Sequence, residues 1–165
     1  MCELTRHRAL VVVFGCLLLP GFPACSQMNT LGGKETFSAG RFTPKDVSSI
    51  VAAIESSAYD IPDSWERELR VRRVDLGAQP GLILQGTNLL CGATGNCQLW
   101  VLRKLNGKWV SLFAMEQAPI VEGFQLGPGI THGIKDLIIV TNTSAEHNHR
   151  VIYRFDGNAY QSHSD

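Results

Sequence analysis

The sequence has no surplus of either charge: fifteen Lys and Arg face fifteen Asp and Glu, for a formal net charge of zero. With no basic excess to neutralise a phosphate backbone, nucleic acid is not an expected partner. Long apolar runs are missing too. The longest, Ala9 to Leu19, is well short of the roughly 20 residues that a helix needs to cross a bilayer. There is no G-x-S-x-G, no H-E-x-x-H, no G-x-x-x-x-G-K-[ST] and no G-x-G-x-x-G string. The serine hydrolase elbow, the zincin helix, the P-loop and the dinucleotide fingerprint are therefore without their anchors, and neither a catalytic residue nor a cofactor is assigned. What is present is an ordinary folding composition: 44% hydrophobic and 18% charged residues exclude wholesale disorder.

The amino terminus carries an export pattern. Arg6, His7 and Arg8 precede the apolar run, Pro20-Gly21-Phe22-Pro23 ends it, and Ala24-Cys25-Ser26 offers a small-x-small cleavage site. This predicts a secretory signal over residues 1–26, with Gln27 as the first mature residue. Phe22-Pro23-Ala24-Cys25 also resembles a bacterial lipoprotein box, although Phe22 and Pro23 stand where aliphatic and small residues are preferred. By that route Cys25 is lipidated, the one membrane attachment the sequence allows for. Residues 27–41 are polar, contain Gly32-Gly33 and lack periodicity, so they read as a flexible tether to a single globular domain over 42–165.

After export, Cys91 and Cys97 remain as an even pair, which suits an oxidising compartment. The intervening Gly92-Ala93-Thr94-Gly95-Asn96 turns easily, and the spacing fits neither the usual zinc half-site nor a C-x-x-C redox motif. A short-range disulfide is expected.

Thr43-Pro44-Lys45-Asp46 is a helix start, and Val47, Ile50, Val51 and Ile54 follow as one apolar stripe, predicting an amphipathic helix over Pro44 to Ser57. The period then changes. Leu69 to Leu76 and Leu82 to Leu84 read as two strands around a turn, with a short helix from Asp63 as the alternative for the first. Asn106-Gly107 between two apolar runs predicts a type I′ hairpin. Phe124 to Leu126 is a short strand. Asp136 to Thr141 is a central strand whose unbroken apolar centre implies cover on both faces, and a last hairpin turns at Asp156-Gly157-Asn158. The expected fold class is α+β: one N-terminal amphipathic helix packed on a mainly antiparallel, hairpin-rich sheet.

Gly133 to Val140, Ser144-Ala145 and Tyr153-Arg154-Phe155-Asp156-Gly157-Asn158-Ala159-Tyr160, together with Cys91 to Cys97 and Trp100 to Arg103, resemble a group of small exported bacterial proteins with no assigned activity. The likeness covers about Leu90 to Tyr160. The ending is also similar to a single FG-GAP-like or VCBS-like propeller repeat, but one copy cannot close a propeller. Gly127-Pro128-Gly129-Ile130-Thr131-His132 stands where such repeats carry an Asp-rich calcium loop, so calcium binding does not transfer.

Side chains for recognition are sought in loops, which carry binding when strands are occupied by packing. Thr94 and Asn96 in the Cys91 to Cys97 ring, and Thr131 and His132 in the Gly-rich Gly127 to Gly133 segment, are the candidate ligand-binding residues; the polar Thr143 to His149 segment is a third loop. Glu116, Glu122, Asp136 and Asp156 lie near strand ends, where surface acids are usual, and Arg67, Arg70, Arg72 and Arg73 alternate with acids as a mixed solvated face. The leading expectation is an exported, non-enzymatic binding or interaction domain of the bacterial envelope or extracellular space, with a protein or glycan partner. The alternatives are an inhibitor of, or hydrolase acting on, envelope polymers, and a metal-binding protein using His132, His147 and His149.

Overall fold

The computed structural model describes residues 42–57, 65–115, 117–144 and 147–163. The predicted signal over 1–26, the tether over 27–41 and Cys25 lie outside the described residues.

One helix, α1 (Pro44–Glu55), opens the described chain. Thr43 Oγ1 accepts the Asp46 amide at 3.1 Å, and Pro44 occupies the first turn, where an amide has no partner to lose. Ile50, Ala53 and Ile54 are buried. The rest is mostly antiparallel sheet.

Two sheets form where one was expected. The first has the order β1 (Leu69–Asp75), β2 (Pro80–Gly86), β3 (Cys97–Leu105), β4 (Lys108–Ser111), with the short β5 (Ile120–Val121) paired to the start of β3. The second has the order β6 (Gly123–Thr131), β7 (Ile134–Ser144), β8 (His147–Phe155), β9 (Tyr160–His163). The side-chain alternation of β2 and β3 dictates the layering. Ile83, Leu99 and Val101 join Phe124, Leu137, Ile139, Phe155 and Tyr160 in a core between the sheets. Leu82, Leu84, Trp100 and Leu102 point the other way and join Ile50, Ala53 and Ile54 of α1. The first sheet is thus a middle layer, and its Leu-Ile-Leu and Leu-Trp-Val-Leu runs are apolar because both faces are covered.

The cover expected on both faces of Asp136 to Thr141 is found at its apolar centre, where Leu137, Ile138, Ile139 and Val140 are all buried. That segment lies within β7, which has strand neighbours β6 and β8 on either side and gives Leu137 and Ile139 to the inter-sheet core. The pair held between a helix and a sheet is β2–β3. The alternative of a short helix from Asp63 is met in part: a 3-10 helix spans Trp65–Glu68 and leads directly into β1 at Leu69, while 63–64 lie outside the described residues.

Turn chemistry matches the backbone where it was most explicit. Asn106 and Gly107 have φ of 51° and 75°, as a type I′ turn between β3 and β4 requires. The sheets are tied at their β1–β2 and β6–β7 turns, where Ala78 donates to the Gly133 carbonyl at 2.9 Å and Lys135 donates to the Leu76 carbonyl at 2.7 Å. A second tie is Tyr160, whose amide donates to the Leu112 carbonyl at 2.6 Å and whose hydroxyl donates to the Lys135 carbonyl at 2.7 Å.

Candidate functional site

The loop residues read from the sequence do not assemble into one surface. Cys91 and Cys97 are joined by a disulfide and leave Thr94 exposed at the tip of their ring. Asn96 is buried, and both ends of its amide are used: Nδ2 donates to the Asn142 carbonyl at 2.9 Å, and the Asn142 amide donates to Oδ1 at 3.1 Å. It latches the ring onto β7. Thr131 and His132 lie at the other end of that strand, and Ile134 and Asn142 are roughly 26 Å apart at about 3.3 Å per residue.

The Gly127 to Gly133 segment is not a loop. It belongs to β6, with an irregularity between Leu126 and Ile130, and only His132 and Gly133 form the turn. Its glycines make room for a carboxylate: a Cβ on Gly129 would collide with Oδ2 of Asp136. Asp136 in turn accepts Thr131 Oγ1 at 3.0 Å and has Arg154 Nε at 3.7 Å. Thr131 is therefore engaged, while His132 is exposed at φ 48°. Of the third loop, Thr143–Ser144 belong to β7 and His147–His149 to β8, and 145–146 lie outside the described residues. His149 pairs with Thr141, far along β7 from His132, so His132, His147 and His149 do not form one set. Among the described residues no group of three or more His, Cys, Asp or Glu suits a metal ion.

A different feature has the dimensions of a ligand site. A groove of about 670 Å³ runs between α1 and β4, within the range usual for small-molecule sites. The helix side is a stripe of small residues, Ser48, Ser49, Ala52, Ala53 and Ser56, which keeps the helix surface low. The strand side is Trp109, Val110 and Ser111, with Phe113 beyond them. β4 is the free edge of its sheet. Because Leu105 and Lys108 close a two-residue turn, the next pair, Lys104 and Trp109, turns its backbone polar groups away from the ladder. The Trp109 amide accordingly donates outward, to Ser49 Oγ of α1 at 3.2 Å.

The charge of the groove is one-sided. Lys45 and Lys108 line it and no acid does. Both residues stand near the β3–β4 turn: Lys45 Nζ lies 4.0 Å from the place of a Cβ on Gly107, the chain neighbour of Lys108. The nearest carboxylate, Asp46, is already committed: Oδ1 takes Lys104 Nζ at 2.8 Å and Trp109 Nε1 at 3.0 Å, while Oδ2 accepts Thr43 Oγ1 at 3.0 Å. The Lys104 contact, with help from Thr43 and Trp109 and against some burial, holds the Asp46 carboxyl below the usual range. The groove hydroxyls are turned to local backbone. Ser48 donates to the Pro44 carbonyl, Ser49 to that of Asp46 and Ser56 to that of Ala53, and Ser111 accepts the Phe113 amide. None has a histidine or carboxylate side chain as a hydrogen-bond partner to activate it. The arrangement suits holding a molecule rather than attacking one.

Lys45, Ser48 and Ser49 fall off the apolar stripe of α1, so hydropathy alone marks them only as solvated. The signal was available: Ser48, Ala52 and Ser56 are short, where a merely solvated helix face favours Glu, Lys or Gln. Compared with known family models, curated proteins and solved structures, the chain matches none.

Proposed function

We propose that this chain is an exported, non-enzymatic binding domain of the bacterial envelope or extracellular space, and that the α1–β4 groove is its ligand site. The observation that carries the reading is the groove itself: about 670 Å³, walled by short Ser and Ala side chains of α1 and by Trp109, Val110 and Phe113, with two lysines and no acid among its lining residues. Export is supported by the basic and apolar opening of the sequence and by the Cys91–Cys97 disulfide, which suits an oxidising compartment. Among the described residues no helix is long and apolar enough to cross a membrane.

The test is a ligand-observed NMR screen of a fragment library against the wild-type chain and Ala52→Trp. Ala52 is an exposed helix position, so the indole fills the groove without disturbing the core. Fragments that bind the wild type and are lost in the variant are the expected result. Fragments retained by Ala52→Trp but lost when Thr94, Thr131 and His132 are all changed to Ala would move recognition to the loops and overturn the assignment.

A further inference from the structure

The groove is polarised along its length. Lys45 and Lys108 stand at the end beside the β3–β4 turn, and Ala52, Ala53, Val110 and Phe113 lie farther along together with Ser56 and Ser111, whose hydroxyls are bonded to local backbone. From Lys45 to Ala52 the helix advances roughly 10 Å at about 1.5 Å per residue. From Lys108 to Ser111, β4 covers a similar length, roughly 10 Å at about 3.3 Å per residue. The two walls therefore keep pace, and the Trp109–Ser49 hydrogen bond pins them at an intermediate point. Lys104 and Lys135 each face an acid, Asp46 and Asp75, whereas among the described residues no ion pair involves Lys45 or Lys108. Two lysines without an ion pair at one end, and a lining whose exposed surface is mostly apolar, complement a ligand with an anionic head and an apolar tail.

Resting on the assignment of the groove as the ligand site, we infer that it takes a linear alkyl chain ending in a carboxylate, the chemistry of a fatty acid. The carboxylate sits between Lys45 and Lys108, and the chain lies along Ala52, Val110 and Phe113. An extended peptide fits less well, because the outward amide of Trp109 already donates to Ser49 and is not free to pair with an added strand.

The experiment is isothermal titration of the full chain with sodium dodecanoate, decanoate and octanoate, with dodecyltrimethylammonium as the cationic control, all below their micellar concentrations. Affinity should rise about two- to fourfold per methylene as chain is buried. Lys45→Gln with Lys108→Gln should weaken dodecanoate about fivefold or more, the size expected of two exposed ion pairs. Ala52→Trp and, independently, Ser56→Trp should abolish binding while the thermal midpoint stays put. Equal affinity for the cationic control, no dependence on chain length, or dodecanoate binding that survives both tryptophan variants would overturn the inference. Tight binding of an acidic hexapeptide with no response to dodecanoate would do the same. If dodecanoate fails while the screen yields groove-dependent fragments, the ligand class falls and the groove assignment stands. If nothing bound depends on Ala52 or Ser56, both fall.

Discussion

Asn96 bonds through both ends of its side-chain amide to the backbone of a residue 46 positions away. Asn96→Ala should therefore leave a polar pair of Asn142 unmatched and cost about 1–3 kcal/mol, the usual range for a stranded buried group. Thr94→Ala, at the exposed tip of the same ring, should stay within about 0.5 kcal/mol. Urea unfolding of the two variants checks the contrast; equal midpoints would mean that the latch contributes nothing. Asp46 gives a second test at this scale. Its carboxyl is held low chiefly by Lys104, so its stabilising contribution is complete above the ordinary carboxylate pKa of about 3.9 and is lost as pH falls through that value toward the depressed native one. Thermal midpoints measured from about pH 2 to 7 should show a shallower acid limb in Asp46→Asn than in the wild type. The opposite sign of titration belongs to Tyr160: burial first, and the charge of Asp136 second, push its phenol far above the ordinary range, so it remains a donor to Lys135 at every pH of interest.

Among elements, the Cys91–Cys97 ring is held twice, by the disulfide and by the Asn96 latch. Cys91→Ser with Cys97→Ser should cost about 2 kcal/mol by the chain-entropy argument and leave a folded domain, with the loss read from urea midpoints. Unfolding of the double variant at room temperature would show the ring to be a foundation of the fold rather than a staple. The sequence announced some elements and concealed others for definite reasons. Asn106-Gly107 was legible because the type I′ turn demands positive φ at both positions and few residue pairs supply it. The reach of β6 was not, because Gly127-Pro128-Gly129 reads as punctuation until the Asp136 carboxylate that fills their space is known. The division into two sheets was equally hidden. Residues 82–84 and 99–102 show only that both faces are covered, and no local pattern says whether a helix or a sheet does the covering. The groove escaped for the same reason, since it belongs to a pairing of α1 with a strand some 60 residues later, marked by the Trp109–Ser49 bond.

In the whole molecule the middle sheet shares one core with α1 and another with the second sheet, and Phe113 connects both regions. It lines the groove and stands 5.6 Å from Tyr160 and 5.8 Å from Tyr153, ring centre to ring centre, in the inter-sheet aromatic cluster. Phe113→Ala should remove about 3–5 kcal/mol, as for other large core aromatics, and should also flatten the apolar end of the groove. Calorimetry alongside the dodecanoate titration separates the two effects, because a purely structural role predicts lost stability with unchanged affinity in the folded fraction. Each sheet, finally, is a run of sequence neighbours: β1 to β4 succeed one another along one stretch of chain, and β6 to β9 along the next. Zipping either meander closes only short loops, whereas bringing Asn96 to Asn142 closes a long one. Speed of folding should therefore be set within the meanders and persistence of the folded state at the seam between them. Trimming Leu137 or Ile139 is then expected to hasten unfolding while hardly slowing refolding, with φ-values below about 0.3, whereas a residue other than Gly at 107 slows the refolding limb itself.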